Sequence, residues 1–222
     1  MITVHHLNNS RSQRVLWLLE ELGLPYEIQH YQRNPATNLA PPELMRVHPL
    51  GKSPVVTDGD ATVAETGAIV EYLVDKVGGK LKPAHGTPQQ RRYTYWLHFA
   101  EGSAMSPLLL SLILGRIRKA GPFFARPLTR KIADTVMTGF VTPNIQRQLA
   151  YMEGELATCA WFAGDEFSAA DVMMSFPLEV AMVRGGLDAA THPRLTDWLA
   201  RIHARPAYQA ALQRGGAYTI VR

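Results

Sequence analysis

Polar residues that suit anion binding form the first turn of the chain, Asn8-Asn9-Ser10-Arg11-Ser12-Gln13. This turn follows a β-prone run and leads into residues 15–22, whose apolar side chains have helical spacing. The free backbone N–H groups and the dipole at the start of a helix favour a negative charge, and a thiolate qualifies. The simpler alternative is that Ser10 caps the helix and that Gln13, three positions later, completes a capping box.

A second group, residues 48–56, contains a Ser-Pro bond that enters a strand directly after a Gly-Lys turn. If the Ser53–Pro54 peptide is cis, the N–H and C=O of Ser53 turn outward and can pair with an extended peptide ligand. The alternative is a trans bond, because only about one X-Pro bond in twenty is cis in folded proteins. Lys52 is then an ordinary surface lysine.

A third group, Glu65-Thr66, places an acid and a hydroxyl at the start of a predicted helix. The hydroxyl and backbone N–H of Thr66 can bind a carboxylate, while the Glu65 carboxylate can pair with an ammonium group. Together they match the head of an amino acid. The alternative is an ordinary helix start.

The elements that must position these groups alternate between strand and helix. Periodicity and turn residues predict strands at Ile2–Leu7 and Tyr26–Tyr31, a short helix around 42–47, a hairpin with an Asp-Gly turn at 55–63, and helices at 15–22 and 65–76. The order βαβαββα is that of an α/β thioredoxin-like domain, which we assign to residues 1–80.

Glycine, proline and lysine replace the apolar pattern at residues 81–87, which we interpret as a linker. Thr87 can cap a new helix and Pro88 suits its first position. Residues 88–222 show helical patterns throughout, including 145–156 and 195–203, and predict an all-α C-terminal domain. Within it, Ser168 and Asp171 form a capping-box pattern, which is a folding signal.

Composition excludes several classes of protein. The 222 residues include 46% hydrophobic and 19% charged residues, and the net charge of +4 is spread along the chain, so we expect no nucleic-acid partner. Cys159 is the single cysteine, which excludes a disulfide or a Cys-x-x-Cys pair within the chain. The sequence has no signal-peptide pattern and no 18-residue apolar stretch, so we expect a cytoplasmic protein without a membrane partner.

Taken in order, these segments resemble the cytosolic glutathione S-transferase (GST) family. The shared pattern is a small residue at the first strand-helix junction, Pro49-x-Gly51-x-x-Pro54, Glu65-Thr66 and Ser168-x-x-Asp171. The sequence around Ser10 looks closest to the bacterial and fungal serine-type branch of this family. The resemblance implies the GST fold, a homodimer, glutathione as co-substrate and no metal.

The resemblance also implies roles for individual residues. Thr66 and Glu65 would hold the γ-glutamyl end of glutathione, Ser53 before a cis Pro54 would pair with the cysteinyl backbone, and Lys52 would lie near the glycyl carboxylate. Classes of the family use Tyr, Ser or Cys to activate the thiol, and this turn contains no Tyr or Cys. We therefore predict Ser10, with Asn9 as the alternative and with Arg11 or Ser12 able to contribute.

The predicted reaction is attack by the glutathione thiolate on a small hydrophobic electrophile, an activity that suits detoxification. The electrophile pocket would lie between the domains and would draw on apolar residues of the first C-terminal helix: Tyr93, Trp96, Phe99, Met105 and Leu108. The same spacing is also typical of core packing. Two alternatives stay open: a noncatalytic glutathione-binding module, and a glutathione-dependent reductase of disulfides or peroxides.

Overall fold

The N-terminal domain has the predicted order of elements in the computed structural model, which describes residues 1–221 and, for Val221, only the backbone. Its elements are β1 (Ile2–Leu7), α1 (Ser12–Leu22), β2 (Tyr26–Tyr31), α2 (Leu44–Val47), β3 (Val55–Asp58), β4 (Ala61–Ala64) and α3 (Thr66–Lys76). The sheet order is β2-β1-β3-β4, with β1 parallel to β2 and antiparallel to β3. The thioredoxin-like prediction is confirmed.

Helix α1 is buried on nearly all sides. Nine of its 11 residues are buried, including Ser12, Gln13 and Arg14 at its start, because the helix lies between the sheet and the C-terminal domain. Gly23, with φ of +71°, closes it by donating its N–H to the carbonyls of the last turn. The candidate catalytic turn is therefore fixed to a rigid, enclosed element.

The C-terminal domain is entirely helical over the described residues. Its elements are α4 (Pro88–Phe99), α5 (Met105–Ile117), α6 (Arg126–Val136), α7 (Thr142–Glu155), α8 (Ala169–Arg184), α9 (Pro193–His203), α10 (Pro206–Gly215) and a 3₁₀ turn at Thr219–Val221. Two π-helical turns join α4 to α5 (Ala100–Ala104) and α6 to α7 (Met137–Val141). The predicted helices at 145–156 and 195–203 correspond to α7 and α9.

The capping box at the start of α8 is confirmed, and it is part of a larger buried cluster. Asp171 accepts hydrogen bonds from the N–H of Ser168 (3.0 Å), the N–H of Phe162 (3.0 Å) and the indole of Trp198 (3.2 Å). Complete burial raises the pKa of Asp171 to about 6, although these hydrogen bonds oppose the shift. One carboxylate thus joins α8, α9 and the loop before them.

The two domains share an apolar and charged interface. The ring of Trp17 in α1 lies 5.7 Å from that of Phe167, just before α8. Arg205 donates to Glu21 with a 2.9 Å N–O distance, so α10 is tied to the same helix. These contacts fix the helical domain relative to the sheet.

The run Pro88–Ile117, which spans α4 and α5, is the one helix among the described residues that is long and apolar enough to cross a bilayer. Half of its apolar window is buried, where the run packs against α7 and α8. A core helix passes the same test of length and composition, so this run is weak evidence for a membrane span.

Candidate active site

A cavity of about 320 Å³ lies beside the cis-proline loop and the start of α3. All five residues predicted to bind glutathione line it, although they come from two separate segments: Lys52, Ser53, Pro54, Glu65 and Thr66. Arg11 from the first turn also lines the cavity, as do Glu101 and Leu109 from the helical domain. The structure brings these residues together, and their roles in binding stay predictions.

The Ser53–Pro54 peptide is cis, as the resemblance implies. The Ser53 hydroxyl donates to the carbonyl of His5 (2.8 Å) and accepts from the N–H of Leu7 (3.1 Å). Both partners belong to β1, which has the candidate catalytic turn at its end. The two loops that face the cavity therefore share one strand as a support.

Glu65 and Thr66 occupy the start of α3 in an unusual conformation. Glu65 has φ of +69° and ψ of 125°, a region that costs a non-glycine residue about 1–3 kcal/mol. Its side chain is exposed, whereas Thr66 is buried with its N–H in the first turn of the helix. The backbone thus presents a carboxylate and a helix N-terminus to the same cavity.

Ser10 is 5% exposed and is not among the residues that line the cavity. Its Oγ accepts from the N–H of Ser12 (3.2 Å) and lies 2.7 Å from the Ser12 hydroxyl. The N-cap residue of α1 is Arg11, which makes no side-chain capping hydrogen bond, so the alternative in which Ser10 caps the helix in a box with Gln13 is wrong. No hydrogen bond joins the Gln13 side-chain oxygen to the Ser10 N–H among the described residues, and the Gln13 amide nitrogen is buried without a partner there.

Asn9, the alternative catalytic residue, has φ of +50°. Its amide oxygen accepts from the N–H and the hydroxyl of Thr219, at 2.7 and 3.1 Å. The cavity wall includes Arg11 but neither Asn9 nor Ser10 among the described residues. Neither candidate belongs to the wall of this cavity, and the choice between them stays a prediction.

His6 extends the hydroxyl pair at this turn. Its Nδ1 lies 2.9 Å from the Ser12 hydroxyl oxygen, so Ser10, Ser12 and His6 form a continuous buried chain. Burial, together with the neighbouring His30, lowers the pKa of His6 to about 4. The imidazole is neutral near pH 7, and the chain carries no net charge.

Glu101 was not among the predicted site residues. It lies in the π-helical turn between α4 and α5, where its two carboxylate oxygens share the single Nε–H of Arg11 (3.0 and 2.9 Å), and it also pairs with Arg14. Partial burial disfavours its ionisation, but Arg14 and Arg11 outweigh this and lower its pKa. No sequence pattern marks Glu101, because its partners lie about 90 residues away along the chain.

The residues predicted for the electrophile pocket lie mostly in the core of the helical domain. Tyr93 and Trp96 are 1% exposed, Leu108 is 3% exposed and Met105 is 5% exposed, while Phe99 packs against Trp96 with 5.0 Å between ring centroids. None of the five lines the cavity described above. From this helical run the cavity is lined by Glu101 and Leu109.

No group of three or more His, Cys, Asp or Glu side chains within residues 1–221 is arranged to hold a metal ion. The residues that line the cavity instead include hydroxyl and charged side chains.

Two family models match the chain. The glutathione S-transferase N-terminal domain matches residues 1–75 and the C-terminal domain matches residues 140–206. Glutathione S-transferase 3 of Schizosaccharomyces pombe is 36% identical, with 96% of this chain and 88% of that protein covered. Glutathione S-transferase 1 of Saccharomyces cerevisiae is 33% identical, with 98% and 96% covered.

Solved structures agree with these matches. A glutathione S-transferase from Actinobacillus pleuropneumoniae has a TM-score of 0.80 at 32% identity, covering 100% of this chain and 96% of that one. A sphingomonad glutathione S-transferase, solved in complex with glutathione, has a TM-score of 0.74 at 25% identity, covering 96% and 98%. The chain belongs to the glutathione S-transferase family, and the predictions of family and fold are confirmed.

Proposed function

We propose that this chain is a glutathione transferase that binds glutathione in the cavity beside the cis-proline loop. Glutathione has a carboxylate at each end, an ammonium group and an extended peptide. The start of α3 at Thr66 suits the γ-glutamyl carboxylate and Glu65 suits the ammonium group, while Ser53 suits the cysteinyl backbone and Lys52 the glycyl carboxylate. The convergence of these residues on one cavity is the observation that carries the proposal.

Ser10 activates the thiol in this proposal by donating a hydrogen bond to the sulfur. A thiol with pKa near 8.5 is only a few per cent ionised at pH 7, and lowering that pKa by about two units needs roughly 2.7 kcal/mol. One hydrogen bond to a charged group supplies about 1.5–3 kcal/mol, and the α1 dipole adds to it. The buried chain through Ser12 holds the Ser10 hydroxyl at the start of this helix.

The chemical step forms one bond and breaks one. The thiolate sulfur attacks an electron-poor carbon, a carbon–sulfur bond forms, and a leaving group such as chloride departs with its electron pair. The thiol proton has already passed to solvent. Ser10 is not a nucleophile, and the protein supplies thiolate stabilisation and orientation.

The first test is the ultraviolet absorbance of glutathione thiolate against pH, measured at saturating protein as fixed by a binding isotherm. A bound-thiol pKa well below 8.5 is expected. The Ser10→Ala variant should lose turnover while its glutathione affinity changes little. Unchanged turnover would reject Ser10 and promote Asn9, and no binding of glutathione would remove the proposal.

Two rival functions give different results in the same experiments. A noncatalytic module would bind glutathione with an unshifted thiol pKa. A reductase would act on a disulfide or a peroxide faster than on an aromatic halide, with two glutathione molecules supplying both thiols. Comparing rates on a disulfide and on 1-chloro-2,4-dinitrobenzene separates the reductase from the transferase.

We also propose that the protein is a cytoplasmic homodimer that acts in detoxification. A stripe of exposed apolar side chains, spaced four residues apart along α6 and the π-helical turn after it, supports pairing with a second copy: Leu128, Ile132, Val136 and Phe140. Sedimentation velocity on the wild type and on Ile132→Glu tests the dimer. A monomeric wild type would contradict it.

A further inference from the structure

The C-terminal segment returns to the N-terminal domain and ends on the candidate catalytic turn. After α10, the chain passes through Gly216, whose φ is +82°, and reaches Tyr218 and Thr219. The N–H and hydroxyl of Thr219 both donate to the amide oxygen of Asn9, at 2.7 and 3.1 Å. These residues are 210 positions apart in the sequence.

Tyr218 anchors this segment one residue before the contact. Its ring is 5% exposed and its hydroxyl donates to Glu179 in α8, at 2.6 Å. Glu179 is itself buried and also accepts from the hydroxyl of Tyr208 at 2.7 Å. Thr219 is therefore held by the core of the helical domain, and it is not a freely moving chain end.

The contact acts on a residue with an uncommon backbone conformation. Asn9 has φ of +50°, in the left-handed region that asparagine adopts more readily than most non-glycine residues. From the other side of the turn, the Arg33 guanidinium donates to the carbonyls of Asn8 and Asn9, at 3.3 and 3.5 Å. Ser10 follows directly in the chain, so its position depends on how Asn9 is held.

We propose that Thr219 is a positioning residue of the thiol-activating site: through Asn9 it fixes the turn that presents Ser10. The inference rests on the proposed function, because it assigns the C-terminal segment a role in thiolate stabilisation. Loss of this contact lets Asn9 leave its left-handed conformation and moves the Ser10 hydroxyl. Residues 52–54 and 65–66, which would bind glutathione, are supported by other elements and stay in place.

Two truncations of the full chain test this with a matched control. One protein ends at Thr219 and keeps both contacts to Asn9; the other ends at Tyr218 and loses them but keeps the bond to Glu179. Asn9→Gly is a third variant, which retains access to a positive φ and removes the acceptor. Each is measured for the bound-thiol pKa, for kcat, for glutathione affinity and for thermal stability.

We expect the chain that ends at Thr219 to behave as the wild type. The bound-thiol pKa should rise by about one unit in each of two variants, the chain that ends at Tyr218 and Asn9→Gly. At a pH below the thiol pKa of both wild type and variant, this reduces the thiolate fraction about tenfold. Glutathione affinity should change less than about twofold, because the binding groups are untouched. A lower melting temperature with an unchanged thiol pKa in both variants would show a purely structural contact and overturn the inference.

Failure of the proposed function has a different signature. If glutathione bound to the wild type has an unshifted thiol pKa, the transferase proposal fails before any variant is compared, and the inference fails with it. If the wild type shifts the thiol pKa and the variants shift it equally, only the role of Thr219 is rejected.

Discussion

The hydroxyl oxygens of Ser10 and Ser12 lie 2.7 Å apart at the buried start of α1. Ser12 also lies 2.9 Å from His6 Nδ1, and it can donate to the carbonyl of Leu7 at 3.3 Å. Each hydroxyl has one hydrogen to donate. The direction in which Ser12 donates therefore decides whether the Ser10 hydrogen points to Ser12 or is free for a ligand sulfur.

Replacing Ser12 by Ala should lower kcat by about 2–10-fold, the value of one neutral hydrogen bond of about 0.5–1.5 kcal/mol. Ser10→Ala should lower kcat by about 10²–10³-fold, as expected for loss of a direct donor to developing charge. Glutathione affinity should change little in both. Steady-state kinetics at several glutathione concentrations separate kcat from KM.

Ser175→Ala is the matched control, because Ser175 is equally buried and donates only to a carbonyl of its own helix, at 2.8 Å. It should change stability without changing kcat. If Ser12→Ala is as slow as Ser10→Ala, Ser12 is itself the donor to sulfur. If Ser12→Ala has wild-type kcat, the pair has no part in activation.

The strained conformation of Glu65 predicts different effects on stability and binding. Glu65→Gly should be more stable than Glu65→Ala by about 1 kcal/mol, since glycine accepts a positive φ that alanine does not. Both variants lose the carboxylate, so both should raise the KM for glutathione by a similar factor with a smaller effect on kcat. Urea unfolding and kinetics of the pair measure this, and equal stabilities would show that the backbone is not strained at this position.

Local sequence patterns were sufficient for the fold and for one wall of the site. The apolar spacing in α1, the Asp-Gly hairpin turn and the Ser168-Asp171 box are short-range signals, and each element formed where they indicate. The glutathione-binding candidates also follow from local motifs, because each comprises two or three consecutive residues.

Contacts between distant residues could not be predicted in this way. Glu101 meets Arg11 only because a π-helical turn and the docking of two domains bring them together, and the Asn9–Thr219 contact requires the path of the last helix. The apolar residues of α4 and α5 have helical spacing, but that spacing does not determine which face of the helix lines the cavity. Packing against α8 turned Trp96 and Leu108 inward and left Leu109 at the cavity.

The buried carboxylate of Asp171 predicts a pH-dependent contribution to stability. Its pKa of about 6 in the folded state exceeds the ordinary 3.8, so the folded state binds more protons between these values. The stability that this group contributes therefore falls as pH rises from about 4 to about 6. Asp171→Asn removes the carboxyl group that titrates. It also places an NH₂ donor where four hydrogen-bond donors already point at this side chain.

Asp171→Asn should lower the free energy of unfolding by about 1–3 kcal/mol, because buried donors lose their acceptor. The deficit relative to the wild type should be larger at pH 4.5 than at pH 7. Urea unfolding at three pH values tests both statements, with the exposed Asp165→Asn as a control. A deficit that grows with pH would contradict the raised pKa.

Glu101 should affect both the stability of the protein and the thiol of bound glutathione, because it neutralises a buried arginine and lines the cavity. Arg14 is 2% exposed, and its burial lowers its pKa while Glu101 opposes that shift, so the carboxylate stabilises the buried guanidinium charge. Glu101→Gln keeps an acceptor of similar shape and removes the charge. The 3–5 kcal/mol typical of a broken buried pair must be discounted, since the Glu101 side chain is 33% exposed, and we expect a loss of about 1–3 kcal/mol.

The same substitution, Glu101→Gln, should favour ionisation of the thiol of bound glutathione. A carboxylate on the cavity wall disfavours a nearby thiolate, and its removal leaves Arg11 unpaired, so the bound-thiol pKa should fall in Glu101→Gln. Asp134→Asn breaks the exposed pair with Arg118 (3.2 Å). It should leave the bound-thiol pKa unchanged and should change the free energy of unfolding by no more than about 0.5 kcal/mol. Denaturant unfolding measures the stability, and thiolate absorbance the bound-thiol pKa, of the wild type, Glu101→Gln and Asp134→Asn. A Glu101→Gln protein with a raised thiol pKa would mean that the carboxylate organises the site around Arg11 and does not merely oppose the thiolate.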